Sequence, residues 1–295
     1  MSKPWHGVLV ATALPMRADG ALDLDRYAEH VAWLAVNGCQ GVAPNGSLGE
    51  YQTLSDDERA AVVTTAVAAA PAGFTVMPGV GAYSAHQSVH WAEQAAEAGA
   101  QCVMLLPPNT YRADERAIFE HYKQVAAVGL PIVAYNNPID TKVDMTPRLL
   151  GRLHEAGYIV GIKEFTGDPR RAYEIAEVAP DLDILIGSDD TVLEVGIAGA
   201  KGWVAGFTNA FPRTTVAMYE ASVARDVETA LPLYRALHEL LRWDSVHEFV
   251  QGIKLSMDVV GRYGGPCRQP RQPLSEPVAA RIRELTEKAL AAGYC

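Results

Sequence analysis

Along the chain, short runs of consecutive apolar residues alternate with longer stretches whose apolar positions recur every three or four residues. Residues 7–13 form the first run. In 24–37, Leu24, Tyr27, Val31 and Leu34 share one helical face, and Gly38 supplies a left-handed stop at little steric cost. The second run is 39–44. Ser55 and Glu58 then open a helix as a capping box, the hydroxyl and the carboxylate each accepting from a free backbone amide. The same cadence continues with 75–79 and 84–98, then 102–106 and 114–128. Runs 132–136 and 159–164 lead into helices entered at Thr146-Pro147 and Asp168-Pro169, an N-cap with proline at the first helical position. Segments 183–187 with 189–198, and 202–206 with 212–225, complete the series.

Eight strand–helix units within residues 1–225, with strands apolar throughout rather than alternating, predict a parallel sheet covered on one side by helices. Their number and length favour an α/β fold closed as a (β/α)8 TIM barrel. An open doubly wound sheet is the alternative, since periodicity does not show closure. The absence of a glycine-rich phosphate loop after the first run argues against its dinucleotide-binding form. From Asp226 onward the strands stop. Segments 231–243, 246–260 and 276–292 read as helices joined by a Gly/Pro-rich connector, 261–273. They predict a C-terminal helical extension, 226–295, packed on the barrel.

Charge and cysteine usage narrow the partners. The 295 residues include 25 Lys and Arg against 35 Asp and Glu, a net charge of −10 without a dense basic cluster. Such a chain is poorly suited to a phosphate backbone, so no nucleic-acid partner is expected. The apolar stretches fall short of the ~20 residues a membrane span needs, and the first 14 residues lack the pattern of a secretory leader. Cys39, Cys102, Cys267 and Cys295 form no CxxC pair and read as reduced thiols of a cytoplasmic protein.

In this fold chemistry sits at the C-terminal ends of the strands. Lys163 closes the sixth run, where apolar walls disfavour its charged form. A neutral lysine amine can attack a carbonyl and form an imine. The plainer reading, an ion pair with Glu164, conflicts with strand alternation, which turns neighbours to opposite faces. Tyr135 closes the fifth run, adjacent in the barrel, and can relay protons to such an amine; by itself it reads as a packed core phenol. After the second run, Gly46-Ser47-Leu48-Gly49-Glu50 can fold tightly and present amides and a hydroxyl to a carboxylate. Alone it is a polar turn. His86 and His90 have the i, i+4 spacing of a metal pair but lack an acidic partner, so a surface helix face is expected. Asp189 and Asp190 could bind metal or open a helix.

Gly46-Ser47-Leu48-Gly49-Glu50, Tyr135-Asn136-Asn137-Pro138 and Gly161-Ile162-Lys163-Glu164, in this order, resemble the dihydrodipicolinate synthase/N-acetylneuraminate lyase family. The match continues through 186–190, 202–209 and 265–275, nearly the whole chain. The resemblance implies a metal-free, cofactor-free class I aldolase-type barrel acting on pyruvate or another small 2-oxo acid. It makes Lys163 the imine-forming lysine and Tyr135 the proton-shuttling phenol. Ser47 with the backbone around Leu48 receives the carboxylate, and Val204 lines the site. It also implies a homo-oligomer, a tetramer built from dimers.

The departures bear on substrate. Leu48 stands where the family's loop often carries a second hydroxyl. Asp140 stands where the synthase branch carries an arginine for a dicarboxylate substrate, and a carboxylate there repels what a guanidinium clamps. The synthase's tyrosine after the fourth strand lacks a clear counterpart, with Asn109 or Thr110 near its place and Tyr111 displaced. The expectation is therefore a Schiff-base lyase, of aldolase or dehydratase type, rather than the lysine-pathway synthase. Its substrate is a hydroxylated or sugar-derived 2-oxo acid, with Asn136, Asn137 and Asp140 as hydroxyl partners. The alternatives are a deaminase of a hydroxylated cyclic imino acid (pyrroline-4-hydroxy-2-carboxylate type), a non-catalytic 2-oxo-acid-binding barrel, and a metal-dependent aldolase using His86 and His90.

Overall fold

The apolar runs become parallel strands in the computed structural model, which describes residues 3–108 and 112–295. They are β1 Gly7–Ala11, β2 Gly41–Ala43, β3 Thr75–Val76, β4 Val103–Leu105, β5 Ile132–Asn136, β6 Gly161–Glu164, β7 Asp183–Ile186 and β8 Gly202–Ala205. The sheet order is β3-β2-β1-β8-β7-β6-β5-β4, which leaves β3 and β4 as its ends. They meet just past β3. Gly79 bridges Met104 in parallel, the Val80 amide donating to the Met104 carbonyl and the Met104 amide to the Pro78 carbonyl, both at 2.9 Å. Those two hydrogen bonds close the cylinder, and the open doubly wound sheet is excluded.

Inside, glycines make room for leucines. A Cβ at Gly161 or Gly202 would press on Leu185, and one at Gly41 on Leu9 and Thr75. Laterally paired residues share a face, and Leu185 pairs with Lys163 as well as Gly202. This dry layer therefore forms the floor on which Lys163 and its neighbours stand. A lysine at that height has packed hydrocarbon beneath it and no route to solvent from below.

The outer helices are α1 Leu24–Val36, α2 Asp56–Ala69, α3 Ala85–Ala98, α4 Glu115–Ala126, α5 Pro138–Thr141, α6 Pro147–Glu155, α7 Arg170–Val178, α8 Val192–Ile197 and α9 Pro212–Val223. The Ser55–Glu58 capping box forms as expected, and the Thr146 side chain accepts from the Leu149 amide. Gly38, Gly99, Gly129, Gly157 and Gly199 adopt φ between 76° and 107°, the left-handed stop that returns the chain to the next strand.

Some elements differ from expectation. α7 begins at Arg170 with Pro169 rather than Asp168 as its N-cap, the Asp168 side chain accepting from the Arg170 amide. The single turn α5, capped by the Asn137 side chain, follows β5 directly. The first helix after the barrel, α10 Val227–Leu241, begins before Pro232, because Asp226 caps it by accepting from the Thr229 amide. α11 Phe249–Val259 and α12 Glu276–Ala291 follow; α10 packs on α9, and α12 packs on α10 and α11. Among the described residues no helix is long and apolar enough to cross a membrane.

Two histidines are sealed into this shell. His30 on α1 and His121 on α4 are each 2 % exposed, with Nδ1 unpartnered among the described residues. Burial pulls both down to about 4, from an ordinary 6.5. Between these values the unfolded chain binds protons that the folded chain refuses, so stability is full above pH 6.5 and declines as pH falls towards 4. Urea unfolding at pH 7.5 and pH 5 is expected to show a loss of about 2 kcal/mol per histidine at the lower pH. An unchanged free energy would show that these rings are hydrated.

Candidate active site

At the C-terminal end of the strands lies a cleft of about 770 Å³, including its open mouth. Ala11, Met104, Tyr135, Lys163 and Val204 enter it from the strands, and Gly46, Ser47 and Leu48 from the loop after β2. Asn137, Ile139 and Asp140 reach it from the β5–α5 corner. Every residue expected from the sequence to line a site is therefore here, with one exception.

The exception is Asn136. Strand alternation turns it away from the face of Tyr135, and it does not line the cleft. Its Nδ2 donates to Asp144 Oδ1 at 3.0 Å and Glu164 Oε2 at 3.1 Å, while its Oδ1 accepts from the Met145 amide at 2.9 Å. Asn136 and Glu164 thus hold the outer wall, and the expectation of Asn136 as a hydroxyl partner is corrected. Asn109, Thr110 and Tyr111 lie outside the described residues. His86 and His90 are exposed on α3.

Lys163 and Tyr135 are partners in the β5–β6 register, and Nζ sits 4.3 Å from the centre of the Tyr135 ring. Lys163 is 5 % exposed and makes no ion pair within 4 Å among the described residues. Burial lowers its affinity for a proton, and the more distant charges of Asp244, Asp189 and Asp140 offset this in part. Burial likewise pushes the Tyr135 phenol up, with Asp244 and Asp140 adding to the effect. Asn137 Nδ2 donates to the Tyr135 hydroxyl at 3.2 Å and to Asp140 Oδ2 at 2.8 Å. The phenol oxygen is thereby held as an acceptor, and its own proton is left to give to a ligand.

The loop after β2 is rigidly held. Asn45 and Glu50 adopt left-handed backbone conformations, φ 56° and 53°. Such strain persists only where the surroundings over-determine it. The source here is a buried ion pair: Lys254 on α11 donates to Glu50 Oε1 at 2.8 Å and to the Pro266 carbonyl at 2.8 Å. The Arg268 amide takes Glu50 Oε2. Within the loop so fixed, neither the Ser47 nor the Leu48 amide donates to a backbone acceptor among the described residues. These two amides and the Ser47 hydroxyl form a small anion cradle at the edge of the cleft.

Sequence reasoning missed two contributions. Asp189 is fully buried and accepts from the Gly206 amide at 3.0 Å, the Phe207 amide at 2.7 Å and Trp203 Nε1 at 3.1 Å. It opens the short 3-10 turn Asp189–Thr191, as expected, and in addition ties the end of β7 to the end of β8. Burial raises it to about 6, against the pull of those donors and of Lys163. The second contribution is the junction between α10 and α11, which lays Asp244, Ser245, Val246, His247 and Phe249 along one wall. A break between two helices carries no signal that it faces a cleft. Among the described residues no arginine lines the cleft.

A model of the dihydrodipicolinate synthetase family matches residues 4–289. The chain is 33% identical over 287 residues to a 4-hydroxy-tetrahydrodipicolinate synthase of Methanothrix thermoacetophila, covering 96% of this chain and 97% of that one. To a 4-hydroxy-tetrahydrodipicolinate synthase of Anaeromyxobacter dehalogenans it is 34% identical over 282 residues, 95% of each. Among solved structures it is similar to the chloride-inhibited dihydrodipicolinate synthase of Acinetobacter baumannii complexed with pyruvate. That likeness has a TM-score of 0.93 and 26% identity over 97% of this chain and 99% of that one. The dihydrodipicolinate synthase of Aquifex aeolicus gives 0.92 and 26%, covering 97% and 98%.

Removing one partner of the Glu50–Lys254 pair leaves the other charge buried and uncompensated. Lys254→Met and Glu50→Gln are each expected to cost about 3–5 kcal/mol in urea unfolding, and the double variant to recover much of that loss. Additive losses would show that the two charges do not act on each other.

Proposed function

The chain belongs to the dihydrodipicolinate synthetase family, and we propose that it is a Schiff-base lyase of hydroxylated 2-oxo acids. The observation that carries this reading is the buried, unpaired amine of Lys163 set against the Tyr135 ring. Desolvation keeps a share of that amine neutral, which is the form that attacks a ketone. The Ser47 hydroxyl and the Ser47 and Leu48 amides receive the substrate carboxylate, which orients C2 towards Nζ. Attack gives a carbinolamine. Tyr135 donates its hydroxyl proton to the departing oxygen and water leaves, so that the protonated imine becomes the electron sink. Val204 bounds the pocket beside it.

Beyond the ketone, the polar side chains are Asn137, Asp140, Asp244, Ser245 and His247. Asp140 Oδ2 is engaged by Asn137, and its Oδ1 is left for a substrate hydroxyl. With two aspartates and no arginine along the cleft among the described residues, a second substrate carboxylate meets repulsion rather than a clamp. This is the reason for placing the chain outside the synthase activity for which its relatives are named. A tetramer and a cytoplasmic location belong to the same reading, on the resemblance and on the unpaired thiols.

Borohydride reduction in the presence of pyruvate is expected to add a pyruvyl group to Lys163, located by peptide mass mapping. Lys163→Ala should abolish the adduct, and Tyr135→Phe should slow its formation by about 10²-fold or more. A protein that traps no oxo acid, or traps one at another residue, refutes the mechanism. In parallel, mono-carboxylate hydroxy-oxo acids are expected to turn over, while aspartate semialdehyde with pyruvate is not. Efficient condensation of that pair would make this chain a synthase.

A further inference from the structure

Asp244 is supplied by the helical extension rather than by a strand. It lies on the turn 242–245 between α10 and α11 and lines the cleft beside Lys163. Its Oδ1 faces Gly206, where a Cβ would collide with it, so glycine at that position is what admits the carboxyl. Its Oδ2 accepts one long hydrogen bond, 3.5 Å, from the Asp189 amide. No other hydrogen bond to this carboxyl is present among the described residues. Asp140, by comparison, is tied to Asn137 through both its side chain and its amide.

Position around the barrel separates Asp244 from Tyr135. Tyr135, Lys163, Asp189 and Gly206 follow one another on β5, on β6 and at the ends of β7 and β8. Tyr135 therefore flanks the amine from the β5 side and Asp244 from the β7–β8 side. Burial and the neighbouring charge of Asp189 raise the proton affinity of Asp244 well above that of an ordinary carboxyl, with Lys163 acting in the opposite sense. A carboxyl so raised can hold a proton that an ordinary carboxyl gives up, and can pass it to a bound ligand.

We propose that Asp244 is the acid–base residue that carries one proton between C3 and the oxygen on C4 of a 4-hydroxy-2-oxo acid bound as an imine. The proposal rests on the imine assigned to Lys163. An imine at C2 draws electrons only from the bonds at C3, so chemistry beyond C2 needs a proton carrier at C3 and C4. In cleavage, Asp244 takes the C4 hydroxyl proton as the C3–C4 bond breaks and its electron pair enters the imine, giving an enamine and a free aldehyde. Asp244 returns the same proton to C3, and water hydrolyses the resulting pyruvate imine. In dehydration the proton moves the other way. It passes from C3 to Asp244, forming the enamine, and then to the C4 oxygen as the C4–O bond breaks and water departs.

Asp244→Asn separates this role from imine formation. The variant is expected to keep the borohydride adduct of pyruvate on Lys163, because losing a nearby negative charge favours the neutral amine. It is expected to lose about 10²-fold or more in incorporation of solvent deuterium into the pyruvate methyl group, and equally in turnover of four- to six-carbon 4-hydroxy-2-oxo acids. Asp244→Glu, which retains the carboxyl, should recover part of the exchange, and it serves alone if the asparagine variant does not fold. Wild-type exchange in Asp244→Asn, or loss of the adduct together with exchange, overturns the proposal. A wild-type protein without any adduct overturns the imine itself, a separate and distinguishable failure.

Discussion

The buried ion pair between Glu50 and Lys254 is the constraint on which the cleft depends. Glu50 ends the loop that presents Ser47 and Leu48, and Lys254 lies on α11, just past the junction that presents Asp244. One 2.8 Å contact therefore sets the spacing between two walls contributed by segments some 200 residues apart. Neither charge reaches water, since the two side chains are 0 and 2 % exposed. Such a pair gains little net stability over a packed apolar pair, and its value here is geometric. Two charges that must find each other allow only one placement of α11 against the loop.

Lys163 presents the opposite arrangement. It too is buried, yet its carboxylate neighbours stay beyond ion-pair distance, and two of the three are engaged elsewhere. Asp189 is held by the amides of Gly206 and Phe207 and by Trp203, and Asp140 by Asn137. The protein has thus placed one lysine where a direct partner cancels its desolvation and another where more distant carboxylates offset it only in part. The first is part of the scaffold. The second keeps an amine whose charged form is disfavoured, at the end of a strand where a ligand can reach it.

The sequence made the barrel legible because its signals are local. Apolar runs, helix caps and helix-ending glycines each report within a few residues, and the eight-unit count then limits the topology. Closure was not legible, since the Gly79–Met104 bridge is a pairing of ends that no window contains. Within the site, residues following strands were found because the fold assigns that position to chemistry. Asn136 misled for the same reason: it occupies the expected place in the chain but the wrong side of the pleat. Asp244 carried no signal, because its relevance is decided by how an extension folds back over the barrel, which depends on the distant Glu50–Lys254 contact. Asp189 read as a generic acidic pair and gained meaning only when β8 brought its amides alongside.

The barrel wall is not uniformly knitted. Between most neighbouring strands several residues pair in register, but at the junction of β3 and β4 one bridge with two hydrogen bonds stands alone. Met104 belongs both to that seam and to the lining of the cleft. A thermal fluctuation that parts the cylinder meets the least backbone resistance there, directly beside the chamber. The weakest stave of the wall is thus also a side of the chamber.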